Sequence, residues 1–275
     1  MMKLSPKIAT LCFVVAMQVP IAAHAQLARA PADSADDGPV VHLMLGGGPF
    51  IEPRFPGSSD FSLGFFPQIE IWSDDERFPA EPPDETLSIE LVGVEGAGQA
   101  GLTVNGSARR HSDDLDYALA PIGFGVEFGG YASTYITPNL RLRGEVRQGI
   151  GGHKALTGDL QADWVVRTAD DRLVATIGPR VRWGSDKYNR AYFGVTPAEA
   201  TATGLSAYAP HSGIYAVGAM AGAQYRVSAR WGLFGFAGYG RLIGQAARSP
   251  IVRQGGSRDQ LTTGMALTYT FDIRR

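Results

Sequence analysis

The chain has 275 residues, with 25 Lys+Arg against 27 Asp+Glu and a single cysteine. A net charge of −2 excludes broad electrostatic attraction to nucleic acid. Glycine stands at 35 residues, against an ordinary share of about 7%. Glycine suits bends and turns better than helix interiors, so the composition leans towards strands.

In chain order, Lys3 and Lys7 precede an apolar run from Ile8 to Val19, then Pro20 and Ala23-His24-Ala25. This pattern predicts a secretory signal, 1–25, cut between Ala25 and Gln26. The run is shorter than the roughly 20 residues a spanning helix needs. Cys12 leaves with the signal, so no thiol, disulfide or Cys metal site is expected in the mature chain. Residues 26–39 are small, polar and acidic, a predicted flexible lead-in. Residues 40–275 form one predicted domain. It contains no stretch of 18 apolar residues, and so no transmembrane helix is expected.

What recurs from residue 40 onward is alternation with period two. In LRLRGEVR, Leu140, Leu142, Gly144 and Val146 take one face, and Arg141, Arg143, Glu145 and Arg147 the other. Twelve strands are predicted, near 41–49, 61–72, 86–93, 98–108, 122–133, 139–148, 156–168, 172–183, 187–195, 212–226, 231–243 and 259–271. The segments 41–49 and 187–195 alternate least clearly, which makes ten the lower count. Several segments run about ten residues, the length with which a tilted strand crosses a bilayer. Trp72, Tyr131, Trp164, Trp183, Trp231, Tyr269 and Phe271 fall near strand ends, as an interfacial aromatic girdle would.

A soluble sandwich also alternates, so the choice rests on which solvent meets the apolar face. In a membrane barrel the apolar face meets lipid and the polar face lines the interior. An outward Arg at the bilayer midplane costs about 2–4 kcal/mol. The sequence therefore predicts an inward network of Glu127, Arg141, Arg143, Glu145, Arg147, Asp159, Asp163, Arg167, Arg172, Arg180 and Arg182. The fold class expected is a transmembrane antiparallel up-and-down β-barrel. With even strands and both ends periplasmic, loops 50–60, 196–211 and 244–258 would be extracellular. Segments 73–85, 109–121, 149–155, 184–187 and 227–230 would be periplasmic. The unusual length of 73–85 and 109–121 suggests a partner contact there.

Catalytic and metal readings are weak by comparison. His153 and His211 are the histidines a lipid-modifying hydrolase would draw on, yet both read as solvated turn residues. The run His111-Ser-Asp113-Asp114-x-Asp116 offers oxygen ligands but lacks the spacing and turn glycine of a calcium loop. Gly46-Gly47-Gly48 precedes no helix, so phosphate cradling is not supported. No cofactor is expected. Arg248, Arg253 and Arg258 could meet lipopolysaccharide phosphates.

The final stretch LTTGMALTYTF places Thr262, Gly264, Leu267, Tyr269 and Phe271 in a pattern similar to the assembly signal of outer-membrane barrels. Gly46-Gly-Gly-Pro49, Pro56-Gly57-Ser58, Tyr192-Phe-Gly-Val195, Gly204-Leu205 with Tyr208, and Arg241-Leu-Ile-Gly-Gln-Ala-Ala-Arg-Ser-Pro-Ile-Val252 follow in order. Together they resemble the MipA/OmpV family across essentially the whole mature chain. The family pattern has acidic residues near Gln245 and Arg248. The resemblance implies a non-enzymatic protein of the Gram-negative outer membrane, surrounded by lipid and lipopolysaccharide and inserted by the barrel assembly machinery. It further implies a scaffold joining a periplasmic murein hydrolase to a murein synthase. Porin-like passage of small solutes and a surface adhesin or antigen are the alternatives within that resemblance.

Overall fold

The computed structural model describes residues 40–74, 77–94, 98–112, 114 and 119–274. The Ala25–Gln26 junction and the lead-in lie outside the described residues. Eleven strands form one sheet: β1 (Val40–Pro53), β2 (Phe61–Ser73), β3 (Leu87–Val94), β4 (Gly98–Ser107), β5 (Gly125–Thr137), β6 (Leu140–Gly151), β7 (Leu156–Arg167), β8 (Leu173–Gly184), β9 (Gly213–Arg226), β10 (Trp231–Leu242) and β11 (Asp259–Arg274). The order is β2-β1-β11-β10-β9-β8-β7-β6-β5-β4-β3, with every neighbouring pair antiparallel. The first and last members, β2 and β3, consequently run in the same direction.

Burial is inverted relative to a water-soluble protein. On β6, Arg143 and Glu145 are 1% and 3% exposed while Val146 stands out on the opposite face. Ile177 on β8 and Leu267 on β11 are 56% and 51% exposed, and Leu261, Met265 and Phe271 on the same face of β11 are exposed too. Buried ion pairs behind a continuous apolar outer surface are the pattern of a wall whose outside meets hydrocarbon. The sheet is thus the wall of a transmembrane β-barrel, curled about a cavity of about 600 Å³. No described helix is long and apolar enough to cross a membrane.

The structure has one strand fewer than the twelve expected. The weak segment 41–49 is a full strand, β1. Residues 187–195 are not a strand: α1 (Asp186–Phe193) occupies them. Its aromatic residues favour strands locally, but Tyr188, Asn189, Tyr192 and Phe193 all bury on one helical face. Trp72 and Tyr131 also depart from the girdle, because both turn inward and are buried. Trp72 packs edge-on to Phe78 at 5.0 Å, and the Arg143 guanidinium lies 3.8 Å over the Tyr131 ring.

One end of the wall, the rim, carries the long connections. Here α1, α2 (Pro197–Thr203), a 3-10 turn (Ala246–Arg248) and α3 (Pro250–Gln254) pack over the opening. Phe55, Ile122, Tyr192, Phe193, Leu242 and Val252 belong to one buried cluster. Arg110 donates to the Tyr192 and Ala120 carbonyls at 3.2 and 2.9 Å, and Tyr192 Oη donates to the Ala108 carbonyl at 2.7 Å. The opposite end, the base, holds the short turns 138–139, 168–172 and 227–230 and the strand termini at Val40 and Arg274.

This arrangement corrects the expected sidedness. The described parts of 109–121, together with 149–155 and 184–187, lie at the rim with 244–258. Residues 73–85 are no turn at all. β2 ends at the base with Ser73 and β3 begins near the rim with Leu87, and the described residues 77–85 between them lie inside the wall. Pro79, Pro82 and Pro83 deny this strap the N–H groups a ladder needs. Its path is fixed by contact instead. Phe78 packs with Met44, Trp72 and Val174. Further along, a Cβ on Gly222 would come within 2.5 Å of Pro83 Cγ, so glycine there leaves room for the strap.

Candidate functional site

The concave face gathers charge from the middle of the sheet. Arg147 is its hub. Its guanidinium donates to Glu127 at 2.8 Å and pairs closely with Glu145 and Asp159. Arg143 Nε donates to Glu145 Oε1 at 2.5 Å. Arg180 Nη2 donates to Asp163 Oδ1 at 2.8 Å. Alternation places these residues on one face, and the pairing register sets Glu145 opposite Asp159 and Arg141 opposite Asp163 across β6 and β7.

The strap completes the network. Asp84 accepts two bonds from Arg180, each 2.9 Å. Glu85 accepts two from Arg141, at 2.5 and 2.8 Å, and lies 2.7 Å from Arg143. Thr86 Oγ1 donates to Glu145 at 2.9 Å and is in short contact with Thr103. Fork-shaped pairing of this kind fixes geometry as well as charge. The strap residues were missed as site residues in the sequence. Seven arginines but only four acids had been placed on the inward face. That excess called for carboxylates from elsewhere, and the Pro-rich acidic stretch 79–85 was the nearest source.

Three of the expected members stand apart. Arg182 is held loosely, 3.6 Å from Asp159 and 3.8 Å from Asp84, and is 45% exposed because it faces the cavity. Arg167 lies at the base, where it donates to the Phe78 carbonyl at 2.5 Å and approaches Asp171 at 3.8 Å. Arg172 is exposed in the turn before β8 and does not join the interior network.

His153 is buried rather than solvated. Its Nδ1 accepts from the Ala155 N–H at 3.1 Å, and its Nε2 donates to Glu127 at 2.8 Å. Its ring meets Tyr188 edge-on at 5.0 Å. Both ring nitrogens are thus engaged by the wall and its own turn, while the ring packs on α1. His211 is exposed at the rim, 3.7 Å from Asp186. Asp113 and Asp116 lie outside the described residues, while Asp114 pairs with Arg54 at 3.1 Å. Gln245, at a position where an acid was expected, accepts from the His211 N–H at 2.9 Å.

The residues of the final-strand pattern sit as the alternation requires. Leu267 and Phe271 are exposed outward, and Tyr269 lies between the rings of Trp231 at 4.8 Å and Phe271 at 4.7 Å. Thr262 and Gly264 fall on the inward register of β11, where Gly264 pairs with Phe236 and Phe50. The strand continues past Phe271 to pair Asp272 with His42.

The profile of the family described as MltA-interacting protein MipA matches residues 45–271, nearly the whole described sheet. The MltA-interacting protein of Escherichia coli (strain K12) is 31% identical over 111 residues, covering 39% of this chain and 42% of that protein. The Shigella flexneri protein of the same name matches equally. These alignments therefore span less than half the length of either relative. Among solved structures, Neisserial surface protein A is similar at 11% identity and TM-score 0.26, over 84% of this chain and 97% of that one. The CymD monoaromatic hydrocarbon channel is similar at 10% identity and TM-score 0.34, over 86% and 89%. At scores this low those proteins' roles stay with them. The profile match spans well over half of the sequence, and the chain belongs to the MltA-interacting protein MipA family.

Proposed function

We propose that the chain is an outer-membrane barrel that serves as a non-enzymatic scaffold, holding a murein hydrolase and a murein synthase at its periplasmic end. The observation that carries this reading is the obstructed interior. A strap tied by buried ion pairs to β6 and β8, under a rim packed with helices, suits a rigid platform better than a standing pore. The relatives' name, MltA-interacting protein, supports a murein hydrolase as one partner. Short turns at the base favour a periplasmic base and an extracellular rim. Exposed Arg248, Arg253 and Arg258 then face the lipopolysaccharide side. Thr262, Gly264, Leu267, Tyr269 and Phe271 serve as the signal read by the assembly machinery.

The test is co-purification. The reconstituted chain, mixed with a purified MltA-type hydrolase and a bifunctional murein synthase, should retain both, while planar bilayers show no steady current. A second reading, a small-solute channel, draws on the polar cavity of about 600 Å³. Steady open currents with neither enzyme retained would replace the scaffold by the channel.

A further inference from the structure

The base half of the interior holds oxygen atoms that lack donors. Glu70 on β2 and Glu81 on the strap line one small cavity of about 20 Å³ with Gln68 and Gln224. Glu70 is half-buried and Glu81 exposed, and neither has an ion-pair or hydrogen-bond partner among the described residues, in contrast to Asp84 and Glu85 three and four residues further along the strap. Gln68 Oε1 and Gln224 Oε1 are buried and accept nothing. Gln224 is 5% exposed, and its Nε2 donates to Thr268 Oγ1 at 2.9 Å, which directs Oε1 away from that bond. Met44, Phe78, Val174, Thr176 and Phe234 are among its other lining residues.

Two like charges beside one cavity repel, and the buried Gln68 and Gln224 oxygens, each without a donor, cost about 1–3 kcal/mol apiece. One cation answers both carboxylates and both amide oxygens at once. We propose that Glu70, Glu81, Gln68 and Gln224 bind a single hard divalent cation of the calcium class, which pins the strap to the wall. Two carboxylates balance its charge, and carboxylate and amide oxygens are the donors such an ion takes, with water filling the remaining positions. The space fits one small ion or water and no larger ligand.

The experiment is calcium titration of the chelator-treated full chain in detergent micelles, by calorimetry and by the thermal midpoint of its heat-modifiable migration. The expected result is one saturable site and a raised midpoint. Glu70→Gln and Gln224→Leu should each weaken binding at least tenfold, while Asp170→Asn, in the turn before β8, leaves it unchanged. Absence of a saturable site, or equal affinity in Glu70→Gln, would overturn the proposal. If Glu70→Gln fails to insert, the midpoint shift of the parent chain and of Glu81→Gln decides.

The free edges carry a second, independent inference. Among the described residues, β2 and β3 end the sheet, each paired to a neighbouring strand on one side only, and their outer faces carry exposed Leu63, Phe65, Leu87 and Ile89. In hydrocarbon each unpaired group costs several kcal/mol. Both strands run from rim to base, so their only mutual pairing is parallel. A parallel pair needs a crossover of about a dozen residues, which the stretch 74–86 is long enough to supply, its described residues 77–86 lying inside the wall. We infer that the wall closes at a parallel β2–β3 seam, giving an odd-stranded barrel. The mature sequence has no cysteine, so single cysteines on β2 (Leu63, Phe65, Ile69) can be paired with cysteines on β3 (Leu87, Ile89, Leu91) in liposomes. Intramolecular disulfides should form, and moving the β2 cysteine towards the base should move its partner to a higher residue number. Partners that shift to lower numbers, or disulfides only between two copies, would overturn it. So would no disulfide at any pair in a chain shown to be inserted by its heat-modifiable migration.

Discussion

Replacing Glu85 with alanine removes the carboxylate that accepts two bonds from Arg141 and one contact from Arg143. Arg143 keeps Glu145, but Arg141 loses the only carboxylate it is paired with among the described residues. Arg141 is buried on the concave face. Stripping one partner from a buried pair costs about 3–5 kcal/mol, because the remaining charge is left uncompensated. Urea slopes of about 1–3 kcal/mol/M convert this into a midpoint lower by at least about 1 M. The assay is urea unfolding in lipid vesicles, followed by fluorescence of the four tryptophans. The paired change Glu85→Met with Arg141→Met removes both charges and should recover most of the loss, since apolar replacements of buried ion pairs are often neutral. If Glu85→Ala unfolds at the parental urea concentration, the strap is not held by this pair and the account of the obstructed interior fails.

Three further outcomes follow from the same geometry. Gly222→Val puts a branched side chain against Pro83, where a Cβ alone would sit 2.5 Å from Cγ; overpacking should cost about 1–3 kcal/mol and loosen a spin label at Ala80. Asp84→Asn combined with Glu85→Gln should free the strap and turn a silent bilayer recording into intermittent current, whereas continued silence would show that the rim alone blocks passage. At the rim, burial alone would raise the Glu199 carboxyl, but bonds from the Ala120 and Thr196 N–H groups and the Thr196 hydroxyl hold it below its ordinary 4.5. Its contribution is therefore complete above that value and is lost as pH falls through the lowered one. Hydrogen exchange near Ala120 should rise only in strongly acidic solution, and Glu199→Gln should abolish that dependence.

Most of the wall was legible from alternation, because charged and apolar residues trade places with unusual regularity on β6, β7 and β8. Opposed to that, α1 was read as a strand. Its aromatic residues fit both structures, and only the i, i+4 burial of Tyr188 with Tyr192 decides between them. The strap escaped because proline and acid together read as a surface turn. Each of these two errors reverses which end the chain has reached. The loops before the strap and after α1 kept their correct relation, while those between, 109–121 and 149–155, were placed at the wrong end. The partner contact drawn from 73–85 loses its surface, because the described residues 77–85 lie inside the wall. Of the charged residues, those flanked by apolar neighbours in mid-strand, such as Arg143 and Glu145, were identifiable. Arg172 was not distinguishable from them by parity, since only the position of the turn takes it out of the interior.

The central claim is that hydrocarbon bathes the bulky face of the sheet. Nitroxide labels at Leu160, Ile177 and Leu267, with inward controls at Thr157 and Gln161, measure this in reconstituted liposomes. The account predicts relaxation by dissolved oxygen and protection from a water-soluble nickel chelate at the first three sites. Ready collision with the chelate at those three, with little effect of oxygen, would contradict it.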